Sequence, residues 1–246
     1  MNDTTSSNER QQSTEALRRH LKSAKSLREQ INFDPTGARQ RLALRQWQAA
    51  RLARSHADLL ASPRFGQAAQ FFISDLYGPK DFSSRDEEVE RILPLLVKML
   101  PASALRTVAL AVELDALTEQ LDAAMVAELC RAGVLERGQQ IDEDSYAAAY
   151  RAVGCQAERQ RQIVLIGETG RALDKLARKP VLTGLLKLMR RPAQLAGLGD
   201  LHEFLERGFN AFRAMGSATD FLESIDGKEK RLLGNLFAGV VRPFAL

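Results

Sequence analysis

The sequence predicts an all-α protein, and three observations carry that prediction. Apolar residues recur at three- and four-residue spacing along most of the chain. No stretch of useful length alternates apolar and polar residues with period two. No Asn-Gly or Asp-Gly turn lies between apolar strands, since Asp226-Gly227 falls within a helical pattern. The expected architecture is a single helical-bundle-like domain of about nine helices over residues 13–246, preceded by a disordered polar tail over residues 1–12. Two lobes meeting near residues 133–142 are the alternative layout. A 246-residue chain can bury roughly three-quarters of its unfolded surface, enough for a core without staples.

The elements follow in order. Leu17, Leu21, Ala24 and Leu27 give a first helix, with Arg18, Arg19, Lys22, Lys25 and Arg28 between them. Asp34-Pro35 starts a second: the carboxylate caps exposed N–H groups, and proline's fixed φ suits the first helical position. Its apolar positions are Leu42, Trp47, Leu52, Leu59 and Leu60, and it ends before Pro63. A third helix spans about 64–77, with Phe65, Ala68, Phe72 and Leu76 on one face and Ala69, Ile73 and Tyr77 beside it. Phe71 and Phe72 sit about 100° apart around a helix, so both are covered only if the helix is sandwiched. The Tyr77 hydroxyl then needs a partner at the core's edge, for which Asp81 and Arg85 are the candidates.

Ser84 and Glu87 form a capping box for the next helix, in which Pro94 either kinks one helix or separates two. Pro101 restarts a helix that persists to Cys130. Its run Val108-Ala109-Leu110-Ala111-Val112 is apolar all round, which predicts a central helix touched from several sides. A short helix over 142–153 closes at Gly154, and another runs from near Cys155 to Pro180. Leu182, Leu185, Leu186 and Met189 mark a further stripe. Two helices end the chain, one through Leu201, Phe204, Leu205, Phe209, Phe212 and Met215, the other through Phe221, Leu222, Ile225, Leu232, Leu233, Leu236 and Phe237. They are expected to pair as an antiparallel hairpin.

The net charge of +4 conceals a pattern. Residues 1–64 carry 12 basic and 6 acidic groups, residues 65–154 carry 8 and 15, and residues 155–246 carry 15 and 10. Alternating signs favour contact between segments of one domain over a single basic nucleic-acid face. The basic stretch Lys175, Arg178, Lys179, Lys187, Arg190 and Arg191 has no interleaved aromatic for base stacking. It is expected to be a solvated face pairing with the acidic middle segment, so neither nucleic acid nor peripheral membrane contact is expected. No apolar run approaches the ~18–20 residues of a transmembrane helix. The polar start lacks a secretory apolar region, so a soluble, cytoplasmic protein is expected.

Most familiar chemistries find no purchase. Residues 163–170, Ile-Val-Leu-Ile-Gly-Glu-Thr-Gly, resemble entry to a phosphate-binding loop. The required Gly-Lys-Ser/Thr falls on Ala172, Leu173 and Asp174, so the lysine is missing and an aspartate would face phosphate. Gly167 and Gly170 instead predict close approach by another helix. Cys130 and Cys155 have neither metal nor disulfide-framework spacing. His20, His56 and His202 fit no metal motif and are expected at the surface. No metal and no cofactor is therefore expected. Glu113 follows the all-round apolar run, and as a half-buried carboxylate it calls for a cation, with Arg159 as the expected partner.

Phe71, Phe72, Asp75, Leu76 and Tyr77 resemble the signature of the uncharacterised bacterial FFLEELY-motif proteins, with Ile73 in place of leucine and Ser74 in place of glutamate. The resemblance extends through Gly78-Pro79-Lys80-Asp81, Arg85-Asp86, Arg190-Arg191-Pro192-Ala193, Gly197-Leu198 and residues 204–209, covering the chain from about residue 45. It implies a bacterial helical protein and brings no activity or ligand.

The leading functional expectation is a non-enzymatic helical module that binds a protein partner or self-associates. The first alternative is a binder of a small amphiphilic or acyl ligand near Phe71, Phe72 and Tyr77, with arginines at the mouth. The second is an enzyme with a carboxylate–arginine site built from Glu113, Arg159 and Glu206.

Overall fold

A computed structural model describes residues 2–32, 34–76, 83–136 and 140–245. Among the described residues there are eleven α-helices, one π-helical turn and no strand. They are α1 Asn2–Asn32, α2 Pro35–Ser55, α3 Ala57–Ala61, α4 Gly66–Phe71, the π-turn Phe72–Leu76, α5 Ser83–Met99, α6 Ala102–Arg131, α7 Glu143–Val153, α8 Gln156–Ala177, α9 Pro180–Leu195, α10 Gly199–Met215 and α11 Thr219–Phe237. The all-α architecture is as the apolar periodicity predicts. Residues 163–166 lie inside α8, so they offer no strand from which a phosphate-binding loop could emerge.

The helix count exceeds expectation partly because the second helix breaks at His56. Its backbone leaves the helical region there (φ −116°, ψ 28°), while its imidazole turns inward to Glu229. Asp34 caps α2 as predicted, accepting from the N–H groups of Thr36 and Gly37 at 2.9 and 3.1 Å. Pro94 lies within one continuous α5. The first helix begins at Asn2, inside the segment expected to be a tail. Arg10 of that segment donates to the carbonyls of Val97 and Leu100 at the end of α5.

The central position belongs to α6, which packs on α1, α2, α7 and α8. Its length and its apolar middle suit that role. On α1 the stripe is Leu17, Leu21, Ala24 and then Arg28, all buried, so a cation takes the next core position. The basic first segment thus lies against the acidic middle one, as the charge pattern predicts.

Phe71 and Phe72 are both buried. The change from α- to π-helix at Phe72 widens the turn, and the segment is covered from more than one side. Phe71 meets Phe204 of α10 at 5.4 Å between ring centroids, and Phe72 meets Phe212 of α10 and Phe221 of α11 at 5.9 and 5.5 Å. Tyr77 and Asp81 lie outside the described residues, as does the side chain of Arg85 on α5.

The expected α10–α11 hairpin does not form. Here α10 packs along α4 and α9, and α11 packs along α8. Gly170 supplies a reason: a Cβ there would lie 2.5 Å from a Leu222 methyl, so its absence lets α11 settle into α8. Gly167 makes no such approach, its nearest neighbour being the Arg171 side chain of its own helix. Gly170→Val is expected to cost about 1–3 kcal/mol by overpacking, read from urea unfolding followed by circular dichroism.

Candidate functional site

The interior carries two groups of charges, and they differ in pairing. The first centres on Glu119 of α6, which is fully buried. Arg28 of α1 donates to it through Nε at 3.1 Å, and Arg41 and Arg45 of α2 donate through their Nη2 groups. Arg28 also forks onto Asp115 at 2.6 and 2.7 Å. Asp122 accepts from Arg45 Nε at 3.3 Å and Gln48 Nε2 at 3.0 Å. Among the described residues three guanidiniums meet three carboxylates, and their formal charges balance. Burial pushes the Asp122 carboxyl up, against the pull of Arg45 and Gln48.

The spacing explains the assembly. Asp115, Glu119 and Asp122 fall at i, i+4 and i+7 on α6, one face of a helix. Arg41, Arg45 and Gln48 repeat that spacing on α2. Apolar periodicity predicts Leu42 on the inner face of α2. Leu42 is instead exposed, and Leu44, Arg41 and Arg45 point inward.

The second group lines a cavity of about 100 Å³ between α2, the π-turn, α6, α7, α8 and α11. Arg51 Nη1 donates to both oxygens of Glu229 at 2.7 and 2.9 Å, and His56 Nε2 lies 2.8 Å from Glu229 Oε1. Burial pushes the Glu229 carboxyl up, but Arg51 and His56 together outweigh it and hold it at about 2. Arg159 of α8 is only 5% exposed and stacks with its guanidinium carbon 3.8 Å from the Tyr150 ring centroid. Among the described residues its Nε and Nη2, both shut off from water, have no hydrogen-bond acceptor. Among the described residues Arg51, Arg159 and Glu229 line this cavity together with Asp122, which is held by Arg45 and Gln48. The Tyr150 phenol, raised strongly by burial against the pull of Arg159, stays neutral and supplies no balancing charge.

The predicted site residues scatter. Arg159 reaches the cavity and Phe72 lines it. Glu113 does not pair with Arg159; its partner is Arg161, at 2.8 and 3.0 Å, because Arg161 lies on the α8 face toward α6 and also meets Glu168. Glu206 pairs with Arg190 across α9 and α10 at 2.9 Å, so the trio Glu113, Arg159 and Glu206 forms no joint site. Arg191 is exposed. The basic stretch does not pair with the acidic middle segment at these contacts: Arg178 takes Asp174, one turn away. His56 and His202 are buried rather than at the surface, His202 because its Nε2 lies 2.8 Å from the Leu186 carbonyl. Arg41, Arg45, Arg51 and Glu229 escape a reading by apolar periodicity and motif.

One contact joins two stretches of the FFLEELY resemblance. Arg207 donates to the buried Asp75 at 2.7 Å, and Ser74 donates to the same carboxylate at 2.9 Å. Gly208 faces the Phe71 ring, which a Cβ would approach to 2.7 Å. On the outside, α9 carries Leu188 and Leu195 on one face at 77% and 90% exposure.

A family model described as a domain of unknown function (DUF8198) matches residues 27–243. The chain belongs to that family. The DUF8198 span takes in both interior charge groups, Arg28 and Glu229 included, and the exposed α9 face. No curated protein and no solved structure matches the chain. Among the described residues of this DUF8198 chain, no helix is long and apolar enough to cross a membrane, and no metal-binding cluster of three or more His, Cys, Asp or Glu occurs.

Proposed function

We propose that this chain is a non-enzymatic helical binding module that docks a protein partner through α9. The observation that carries this is the pair Leu188 and Leu195, seven residues apart on one helix face and almost fully in water. Exposed leucines scattered singly are unremarkable, but two stacked on one face, with Met189 also 43% exposed, form the core of an interface. Lys187 and Arg191 flank them, so the fitting partner has an apolar centre rimmed by carboxylates. Residues 13–246 act as one domain in this reading, with residues 1–12 as an appended polar segment held at Arg10. Cytoplasmic location and bacterial origin, with kinship to the FFLEELY-motif proteins, belong to the same proposal. What supports the kinship is that Phe71 and Asp75 meet Phe204, Arg207 and Gly208.

The test places a photo-crosslinking side chain at position 184, one turn from Leu188, in wild type and in a Leu188→Glu, Leu195→Glu variant. The expected result is a discrete protein adduct in wild type, of twice the chain mass for a second copy or another mass for a different partner, that the variant loses. The variant's stability should stay within about 0.5 kcal/mol per substitution, because both sites are solvated. An adduct the variant retains, or recovery of wild type with lipid vesicles in place of an adduct, would overturn the reading.

The amphiphile alternative has a narrower opening. The interior cavity, at about 100 Å³, is well below the ~300 Å³ of a typical drug-sized site and suits no long acyl chain. A groove of about 820 Å³ along the outer side of α2 is large enough, but Arg39, Gln40, Gln46 and Glu136 give it a polar lining.

A further inference from the structure

We propose that the partner docked by α9, on the reading of α9 as the docking face, is a second copy of this chain, which receives Leu188 and Leu195 in the groove outside α2. The ridge comes first. Leu188 and Leu195 stand about 10.5 Å apart along the helix axis. The helix carries Lys187, Arg190 and Arg191 and no acidic residue. Arg190 is held by Glu206 of α10, whereas Lys187 and Arg191 form no ion pair among the described residues. Pairing α9 with α9 about a two-fold axis would set the two Arg191 groups against each other, and like charges face to face are costly. The ridge therefore calls for a surface unlike itself.

The groove supplies one. Its volume is about 820 Å³, and Trp47, Leu135 and Ile141 give it an apolar floor. Trp47 stacks on Tyr146 at 3.9 Å between ring centroids, so the floor is firm. Leu42, 41% exposed, lies one turn from both Arg39 and Gln46 on the same outer face of α2. The polar rim is unsuited to an acyl chain but suits a helix whose own flanks are polar. Gln40 and Gln46 offer amides there, and Glu136 offers an exposed carboxylate. Glu136 forms no ion pair among the described residues, which leaves it open to Lys187 or Arg191. Arg39 also lines the groove, and it donates to Thr36 Oγ1 at 3.4 Å. The two surfaces lie at opposite poles. Along α8, Ile163 shares a core with Leu44, Ile141 and Tyr146 beneath the groove, whereas Ala177 shares one with Phe212 and Phe221, where α9 begins. One copy cannot close its own ridge onto its own groove across the ~33 Å of α8, so the contact passes from each copy to the next.

Sedimentation velocity of the full chain over a concentration series tests the contact, because a head-to-tail pair of surfaces can be broken from either side. Wild type is expected to grow from monomer to dimer and longer species as concentration rises, and salt should weaken that growth. The double variant Leu188→Glu, Leu195→Glu removes the ridge, and Ala43→Arg, Glu136→Lys fills and recharges the groove. Each variant alone should associate about tenfold more weakly or worse. Mixed, the two should form a one-to-one dimer and stop there, since one keeps its groove and the other its ridge. With the crosslinker at position 184, the wild-type adduct should have twice the chain mass and map to residues 36–47 or 135–141. A twofold-mass adduct joining α9 to α9, or a mixture of folded variants that stays monomeric, would overturn head-to-tail pairing and leave α9 as the docking face. An adduct of any other mass would overturn the second copy as partner and likewise spare α9. Wild type that stays monomeric at every concentration, which needs no variant to fold, would overturn the proposal outright. The absence of any adduct would take the α9 reading down with it.

Discussion

Replacing Glu119 with glutamine is expected to destabilise the protein by about 3–5 kcal/mol, the range for breaking a buried ion pair from one side. The substitution is nearly isosteric, so packing changes little and the effect isolates charge. Among the described residues, Arg28, Arg41 and Arg45 would be left to share Asp115 and Asp122. Asp115 is 36% exposed on its side chain and partly screened, so it cannot take over. At this chain length each kcal/mol moves the unfolding temperature by roughly 2–4 °C, giving a fall of roughly 6–20 °C. Thermal and urea unfolding by circular dichroism read it directly. The loss should fall on the junction of α1, α2 and α6, which these contacts join, so amide exchange in α1 should accelerate most.

The second large effect is an acid limb set by Glu229. Its carboxyl sits at about 2 in the folded protein against an ordinary 4.5. The folded value is depressed, so the stabilisation is fully present above pH 4.5. As pH falls below 4.5 the unfolded chain takes up the proton first, and stability declines until pH 2 is passed. The size at neutral pH is on the order of 3 kcal/mol, since a tenfold difference in proton affinity between the folded and unfolded chain is worth about 1.4 kcal/mol. Asp122 works in the opposite sense, because its carboxyl is raised in the fold and protonation there favours the folded state. The clean comparison is therefore wild type against Glu229→Gln. The variant should be less stable at pH 7 and should show a much flatter decline between pH 4.5 and 2. Parallel acid limbs would show that Glu229 does not dominate.

Much of the backbone is legible in the sequence because local rules decide it. Asp34-Pro35 starts α2 through a cap and a fixed φ, both set within four residues. Gly170 reads as a close-approach site, and Leu222 occupies it. The break at His56 is not legible, because nothing near it in sequence stops a helix. Its imidazole partner Glu229 is 173 residues away. The interior arginines escape for a related reason. Binary patterning treats arginine as a mark of exposure, and on α2 that rule chooses Leu42 over Arg41 and Arg45. A signal does exist: basic and amide residues at i, i+4, i+7 on one helix and acids at the same spacing on another. Neither pattern alone distinguishes a solvated face from a buried one. Arg159 does stand out in the sequence, but its expected partner Glu113 goes to Arg161, two residues on in the chain and nearly opposite on the helix. The Tyr77 hydroxyl and its candidates Asp81 and Arg85 fall outside the described residues.

The interior thus sets a balanced charge lock around Glu119 beside a guanidinium, Arg159, that forms no ion pair among the described residues. Thermal unfolding of Glu119→Gln and Arg159→Met side by side, at pH 7, separates the two. Each variant deletes one buried charge from the same protein. Opposite signs are expected: a fall of roughly 6–20 °C for the first and a rise for the second. Comparable falls in both would mean that Arg159 is already compensated within the fold, and the picture of one matched and one unmatched group would be wrong.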